Sequence, residues 1–217
     1  MPNVAICLLT YKRTEYALKT VRAALSNLWC SYPLYLHIAD NGSGREHIDA
    51  IKAEASKYAL AGIGVSEALG GGYGHNYNVA TQHLHPYVDY ILMLEDDWIL
   101  NKPLDLDRLI GVLAAGDACI RLGNIGVVQG IYASLIVQGS QMFWELNAKS
   151  PDQYVFSGNP RFETRGWEKA VGPWPENLSP GETEIAVGSR VAARSRVLWP
   201  LGQAPFEVFE HIGAERT

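Results

Sequence analysis

The sequence predicts an α/β protein whose mainly parallel sheet is covered by helices on both faces. Three observations carry that reading. Tyr90-Ile91-Leu92-Met93-Leu94 leaves no room for a polar face, as in a strand buried on both sides. Strand-like runs alternate with helical periodicities along the first half of the chain, the pattern of successive strand–helix units. Polar loops follow three of those runs, at the strand ends outside which such sheets bind ligands.

The first strand is Val4 to Leu9, a continuous apolar run ending in Thr10-Tyr11-Lys12-Arg13. Leu18, Val21, Leu25 and Leu28 then recur at helical spacing, with Thr14 as the expected N-cap. The unit repeats with Leu34 to Ala39 as strand, Asp40-Asn41-Gly42 as turn, and a helix bearing Ile48, Ile51 and Ala55, for which Ser43 and Glu46 fit a capping box. A third strand around Ile63-Gly64-Val65 leads through Gly70-Gly71-Gly72-Tyr73-Gly74 into a helix with Tyr77, Ala80 and Leu84 on one face. The central strand follows and ends in Glu95-Asp96-Asp97. Beyond it, Asp105 to Leu113 predicts a capped helix and Ile125 to Val128 a further strand. From Tyr132 to Arg165 the chain is richer in Gly, aromatic and polar residues. Irregular strands are expected there, with a loop at Phe156-Ser157-Gly158-Asn159-Pro160-Arg161.

At 217 residues, with 47% apolar and 19% charged residues, the chain suits one soluble globular domain with a sizeable core. No apolar run approaches the roughly 20 residues that span a bilayer, and Met1-Pro2-Asn3-Val4 lacks a signal-peptide layout, so the expected compartment is the cytoplasm. A net charge of −5 argues against a large nucleic-acid footprint. Cys7, Cys30 and Cys119 form no metal-type spacing and are expected to be structural thiols.

Three adjacent carboxylates repel one another unless a cation or a set of donors absorbs their charge. A hard divalent ion such as Mg²⁺ or Mn²⁺ suits oxygen ligands and is commonly shared between one or two carboxylates and substrate phosphates. Strand alternation puts Glu95 and Asp97 on one side and Asp96 on the other. The alternative is an acidic solvated turn. A nucleotide is the natural occupant of the converging loops: Lys12 and Arg13 suit phosphates, Asp40 a base N–H or ribose hydroxyl, and the glycine run allows close backbone approach. Asp40 equally suits an Asx-turn. The glycine run fits neither a phosphate loop nor a dinucleotide fingerprint.

These motifs, in this order, resemble those of the GT-A glycosyltransferases, most closely the large family 2 type. Thr10-Tyr11-Lys12-Arg13 is similar to the family's first-strand loop, Asp40-Asn41-Gly42-Ser43 to its Asp-Asp-Gly-Ser turn, and Gly74-His75-Asn76 to its Arg-Asn helix start. Glu95-Asp96-Asp97 resembles the metal-binding Asp-x-Asp motif, with Glu in place of the first Asp. Gly172 to Glu176 and Gly181-Glu182-Thr183-Glu184-Ile185 resemble the acceptor-side segment and the helix start that supplies the base. Phe209-Glu210-His211-Ile212-Gly213 resembles the C-terminal histidine segment that completes the metal shell.

The resemblance implies the nucleotide-diphospho-sugar transferase fold, a Rossmann-like three-layer sandwich in a single domain over 1–217. Residues 1–100 would bind the nucleotide sugar and 101–217 the acceptor. It implies a hexosyltransferase-type enzyme that uses Mn²⁺ or Mg²⁺ and a UDP-linked donor, with inversion at the sugar. Donor contacts fall on Thr10, Tyr11, Arg13, Asp40, Asn41, Gly71, Asn76, Glu95 and Asp96, and metal ligation on Asp97 and His211. Aligned from its right end the motif puts Glu182 in the base aspartate's place, and from its left end Thr183; Glu182 is the expected base and Glu184 the alternative, while a helix-start Glu182 and a terminal His211 also have plain structural readings. Trp98, Trp167 and Trp174 suit core packing or the sugar pocket, and His83 and His85 suit the surface. A sugar-1-phosphate nucleotidyltransferase shares much of this sheet, but Leu8-Leu9-Thr10-Tyr11 lacks its Gly-rich, Arg-bearing loop. A non-catalytic nucleotide-sugar-binding module is the other alternative. The acceptor, whether glycan, lipid-linked sugar, protein or modified nucleobase, is left open, as is the donor sugar.

Overall fold

The computed structural model describes residues 1–114, 118–123, 130–138, 141–147, 149–151, 155–158, 160–192, 196–200 and 208–213. The first half contains β1 (Val4–Thr10), α1 (Thr14–Asn27), the short β2 (Leu28–Trp29), β3 (Leu34–Asp40), α2 (Arg45–Ala55), β4 (Gly62–Glu67), α3 (Gly72–His83) and β5 (Tyr90–Glu95). There follow β6 (Trp98–Leu100), β7 (Leu104–Asp105), α4 (Leu106–Leu113), β8 (Ala118–Arg121), β9 (Ala133–Gln138), β10 (Gln141–Leu146) and β11 (Arg161–Thr164). The chain continues through α5 (Arg165–Val171), α6 (Pro180–Ala192), β12 (Arg196–Pro200) and β13 (Phe209–His211).

Nine strands form one sheet in the order β4-β3-β1-β5-β11-β8-β12-β10-β9. β4, β3, β1 and β5 pair in parallel, as do β8 and β12, while β11 and β10 run against their neighbours. The sheet is thus mainly parallel, as the alternation of strands and helices predicts.

Both faces of the central strands are buried. Ile6, Leu8, Ile38, Leu92 and Leu94 pack with Val21 of α1, Ile51 of α2 and Leu109 of α4 on one side. Ala5, Cys7, Ile91 and Met93 pack with Tyr77 of α3, Trp167 of α5 and Val187 of α6 on the other. The result is a helix–sheet–helix sandwich, held by full burial of Leu and Ile side chains at roughly 1.5–3 kcal/mol each. Cys7 and Cys119 lie in this core, and burial pushes both thiols up to about 12, so neither is reactive in the folded chain.

Local details differ from expectation at two helix starts. Thr14 is the first residue of α1 rather than its cap, and its hydroxyl lies 2.8 Å from His47 Nδ1. Ser43 does not cap α2, because its hydroxyl is used by Asp40. Asp105 does cap α4, accepting from the Arg108 amide. The expected strand at 125–128 lies outside the described residues, and so does Asn159 in the expected loop.

Candidate active site

The register of the parallel strands fixes the site. Thr10 sits opposite Asp40, and Leu9 opposite Glu95, so the three polar strand ends are adjacent at the carboxyl edge of the sheet. An open cleft of about 250 Å³ lies there. Thr10, Tyr11, Arg13, Asn41, Asn76, Glu95, Asp96 and Asp97 line it, joined by Tyr73 and Pro180. The sequence-predicted donor contacts thus share one cavity, with two exceptions.

Asp40 is one of them. It is fully buried beneath the cleft and accepts from the amides of Gly42 at 3.1 Å and Ser43 at 2.7 Å and from the Ser43 hydroxyl. This is the Asx-turn arrangement, in which the carboxylate holds its own loop. Gly71 is the other. It caps α3 with φ +93°, between Gly70 at +98° and Gly72 at +83°. Three successive residues in the left-handed region exclude ordinary side chains and bring the start of α3 to the cleft edge.

The acidic turn does not follow strand alternation, because β5 stops at Glu95. Asp96, expected to face away, points into the first-strand loop: it accepts from Thr10 Oγ1 at 2.9 Å and the Tyr11 amide at 3.0 Å, and pairs with Arg13. The same guanidinium reaches Asp97 Oδ2 at 2.6 Å. Burial raises the Asp96 pKa, while the Tyr11 amide, Arg13 and the Thr10 hydroxyl pull it back. Glu95 turns toward α3, accepting from the Tyr73 hydroxyl at 2.7 Å. Burial, reinforced by the charge of Asp97, pushes Glu95 up to about 7.

His211 arrives from the far end of the chain. β13 pairs with β6 so that His211 lies opposite Trp98, and Ile212 donates its amide to the Asp97 carbonyl at 2.9 Å. His211 Nε2 then lies 3.4 Å from Asp97 Oδ2. Asp97 Oδ1 and His211 Nδ1 are buried without a hydrogen-bond partner. Among the described residues no three His, Cys, Asp or Glu side chains gather as a complete metal shell. Asp97 shares Oδ2 between Arg13 and His211 and keeps Oδ1 buried and unused, an oxygen that suits an ion taking its other ligands from phosphate and water.

The two base candidates occupy opposite environments. Glu182 is exposed and completes a capping box: the Ser179 amide donates to its Oε2 at 2.9 Å, and its own amide lies 3.4 Å from Ser179 Oγ. Ser179 with Glu182 three residues on is itself a capping signature legible in the sequence. Glu184 turns inward to accept from the Gly158 amide at 2.5 Å and the Ser157 hydroxyl at 3.1 Å. Burial raises its pKa against those donors. An added Cβ at Gly158 would press on both Glu184 Oε1 and the Tyr73 hydroxyl, so Glu184 stands one side chain from Glu95 and the cleft.

Sequence reasoning assigned no role to Tyr73, although it lies in the glycine run, and passed over His47, which is 2.8 Å from Thr10 Oγ1. No local pattern marks either. Trp98, Trp167 and Trp174 are all core residues.

No protein-family model and no curated protein sequence matches the chain. Solved structures do. The crystal structure of S. aureus TarS aligns at a TM-score of 0.66 and 15% identity, covering 91% of this chain and 36% of that one. TarS 1–349 in complex with UDP-GlcNAc aligns at 0.66 and 16%, over 91% and 58%. The mannosyltransferase PcManGT from Pyrobaculum calidifontis, in complex with GDP-Man and Mn²⁺, aligns at 0.59 and 14%, over 91% and 56%. This chain therefore spans between about a third and three fifths of the length of these structures. With the strand order described above, the likenesses establish that the chain has the fold of the GT-A glycosyltransferases.

Proposed function

We propose that the chain is a metal-dependent glycosyltransferase that moves a sugar from a nucleotide-diphosphate sugar, UDP-linked, to an acceptor hydroxyl with inversion. The observation that carries this reading is the single cleft into which the first-strand loop, the second-strand loop, the start of α3 and the acidic turn all converge. Neighbours of the same fold, described with UDP-GlcNAc, UDP and GDP-Man, support a nucleotide sugar as its occupant.

Thr10, Tyr11, Arg13, Asn41 and Asn76 offer the donors and aromatic surface that a nucleotide diphosphate needs, Glu95 offers an acceptor for its hydroxyls, and Asp96 holds the first-strand loop against them. Asp40 acts here through the loop it folds, and Gly71 through the close approach it permits. Asp97 and His211 would hold Mn²⁺ or Mg²⁺; the neighbour with bound Mn²⁺ supports a divalent ion. Such an ion supplies Lewis-acid stabilisation of the charge on a departing diphosphate.

Glu184 is the base in this reading, in place of Glu182. A general base needs a raised pKa and a place near the acceptor hydroxyl; burial raises the Glu184 pKa, and Tyr73, which lines the cleft and donates to Glu95, stands next to it. The capping box lowers the Glu182 pKa and ties its carboxylate to Ser179. Residues 1–100 bind the donor, and the acceptor meets the half that carries Glu184. No helix among the described residues is long and apolar enough to cross a membrane.

The test is UDP release from UDP-GlcNAc with MnCl₂. Asp97→Asn should cut release by roughly 10²-fold or more and weaken Mn²⁺-dependent UDP binding. Unchanged release in that variant, or release insensitive to EDTA, removes the metal assignment. Tight UDP binding without any release identifies a binding module instead.

A further inference from the structure

We propose that Arg161 is a positioning residue for Glu184: it fixes the Gly158 backbone so that the Gly158 amide presents the carboxylate to the cleft. The inference rests on the reading of Glu184 as the base.

Arg161 lies on β11 with no exposed surface. Its Nε meets Glu163 Oε2 at 2.7 Å, and its NH1 donates to the Gly158 carbonyl at 3.2 Å. The guanidinium sits among the rings of Tyr77, Phe156 and Trp174, with its central carbon 5.5, 5.3 and 5.0 Å from their centroids. On the neighbouring strand Arg121 donates to the Val155 carbonyl at 3.0 Å. Two buried arginines therefore grip one short loop, at residues 155 and 158. The free end of that grip is the Gly158 N–H on Glu184 Oε1.

A fully buried ion pair is a weak source of stability, because desolvating two ions costs several kcal/mol and an apolar pair of similar volume often serves as well. What an apolar pair cannot do is donate to a backbone carbonyl from a guanidinium already clamped by a carboxylate and three rings. The arrangement converts an otherwise short irregular segment into a fixed hydrogen-bond donor. That donor acts on the charged form of Glu184, keeping it from rising as far as its burial alone would take it. The charged or polar groups facing Glu184 are Arg121 and Arg161 beneath it, Ser157 beside it, and Tyr73 and Glu95 across the cleft wall.

The experiment separates position from charge. Arg161→Lys keeps a cation for Glu163, but its single ammonium cannot serve that carboxylate and the Gly158 carbonyl in the fork geometry of arginine. Protein labelled with [¹³Cδ]glutamate is titrated by NMR, the Glu184 signal being assigned by its loss in Glu184→Gln. In Arg161→Lys the Glu184 midpoint should move up by about one pH unit. UDP release from UDP-GlcNAc with Mn²⁺ should fall about tenfold while UDP affinity holds. A Lys variant that titrates and turns over like the parent overturns the proposal. Gly158→Ala, which leaves the buried ion pair intact but drives a methyl against the Tyr73 hydroxyl and Glu184, gives the same upward shift and tests the Gly158–Glu184 link should the Lys variant not fold; a parent-like midpoint there also overturns the proposal. Glu184→Gln with undiminished UDP release defeats the base reading, a failure distinct from a Glu184 midpoint that ignores Arg161.

Discussion

Glu182 and Glu184 are two residues apart on one helix, yet one faces water in a capping box while the other is half-buried against a loop amide. Glu184→Gln should lower turnover by roughly 10²–10⁴, the usual worth of a general base, with donor affinity retained. Glu182→Gln should leave turnover intact and Tm nearly unchanged, because glutamine completes the same capping box. Kinetics on both variants decide between them. The pH profile carries the same information. Because burial raises the folded Glu184 pKa above its ordinary 4.5, the base form is lost as pH falls through that raised value, and the acid limb of kcat should sit above the ordinary carboxylate range. Residue types alone could not separate the two glutamates, since both offer a carboxylate at the same helix start.

At the scale of elements, α1 and α2 are tied by Glu54. Its carboxylate accepts from Arg22 Nε at 2.9 Å and Lys57 Nζ at 2.6 Å, and these partners bring its pKa down to about 2. A depressed carboxylate contributes stability above its unfolded value of about 4.5, and that contribution is lost as pH falls toward 2. Glu54→Gln should therefore lower Tm at pH 7, and the two proteins should converge in acid; a constant gap across that range would contradict the pairing. The start of α3 is set differently. Gly74 packs on the Pro175 carbonyl so closely that a Cβ would overlap it, while Asn78 donates to the Trp174 carbonyl at 2.9 Å. Gly74→Ala should cost on the order of 1–3 kcal/mol by overpacking and push the 172–176 segment outward, seen as a lower Tm and weaker UDP binding. The helices themselves were legible from period, but two of their caps were not, because Thr14 and Ser43 found partners in His47 and Asp40 that local sequence does not reveal.

For the molecule as a whole, the central strands are sealed on both faces, and two of the three thiols report on that seal. Cys7 and Cys119 are fully buried and Cys30 only partly. Ellman's reagent should label Cys30 alone in the native protein and all three thiols in guanidinium; fast native labelling of Cys7 or Cys119 would mean that the core opens without global unfolding. The sequence by itself determined the parallel half of this sheet, β4-β3-β1-β5, and most of the residues that line the cleft, because burial on two faces demands continuous apolar strands, and the topology of parallel strands gathers their carboxyl-end loops. Only the tertiary structure decided how those groups divide the work. The pairing of Arg13 with Asp97 spans 84 residues and that of Gly158 with Glu184 spans 26, while β13 brings His211 beside a turn at residue 97. Periodicity carries no record of such distances: which carboxylate is neutralised, which is desolvated and which is left to cap a helix depends on what the rest of the chain packs against it.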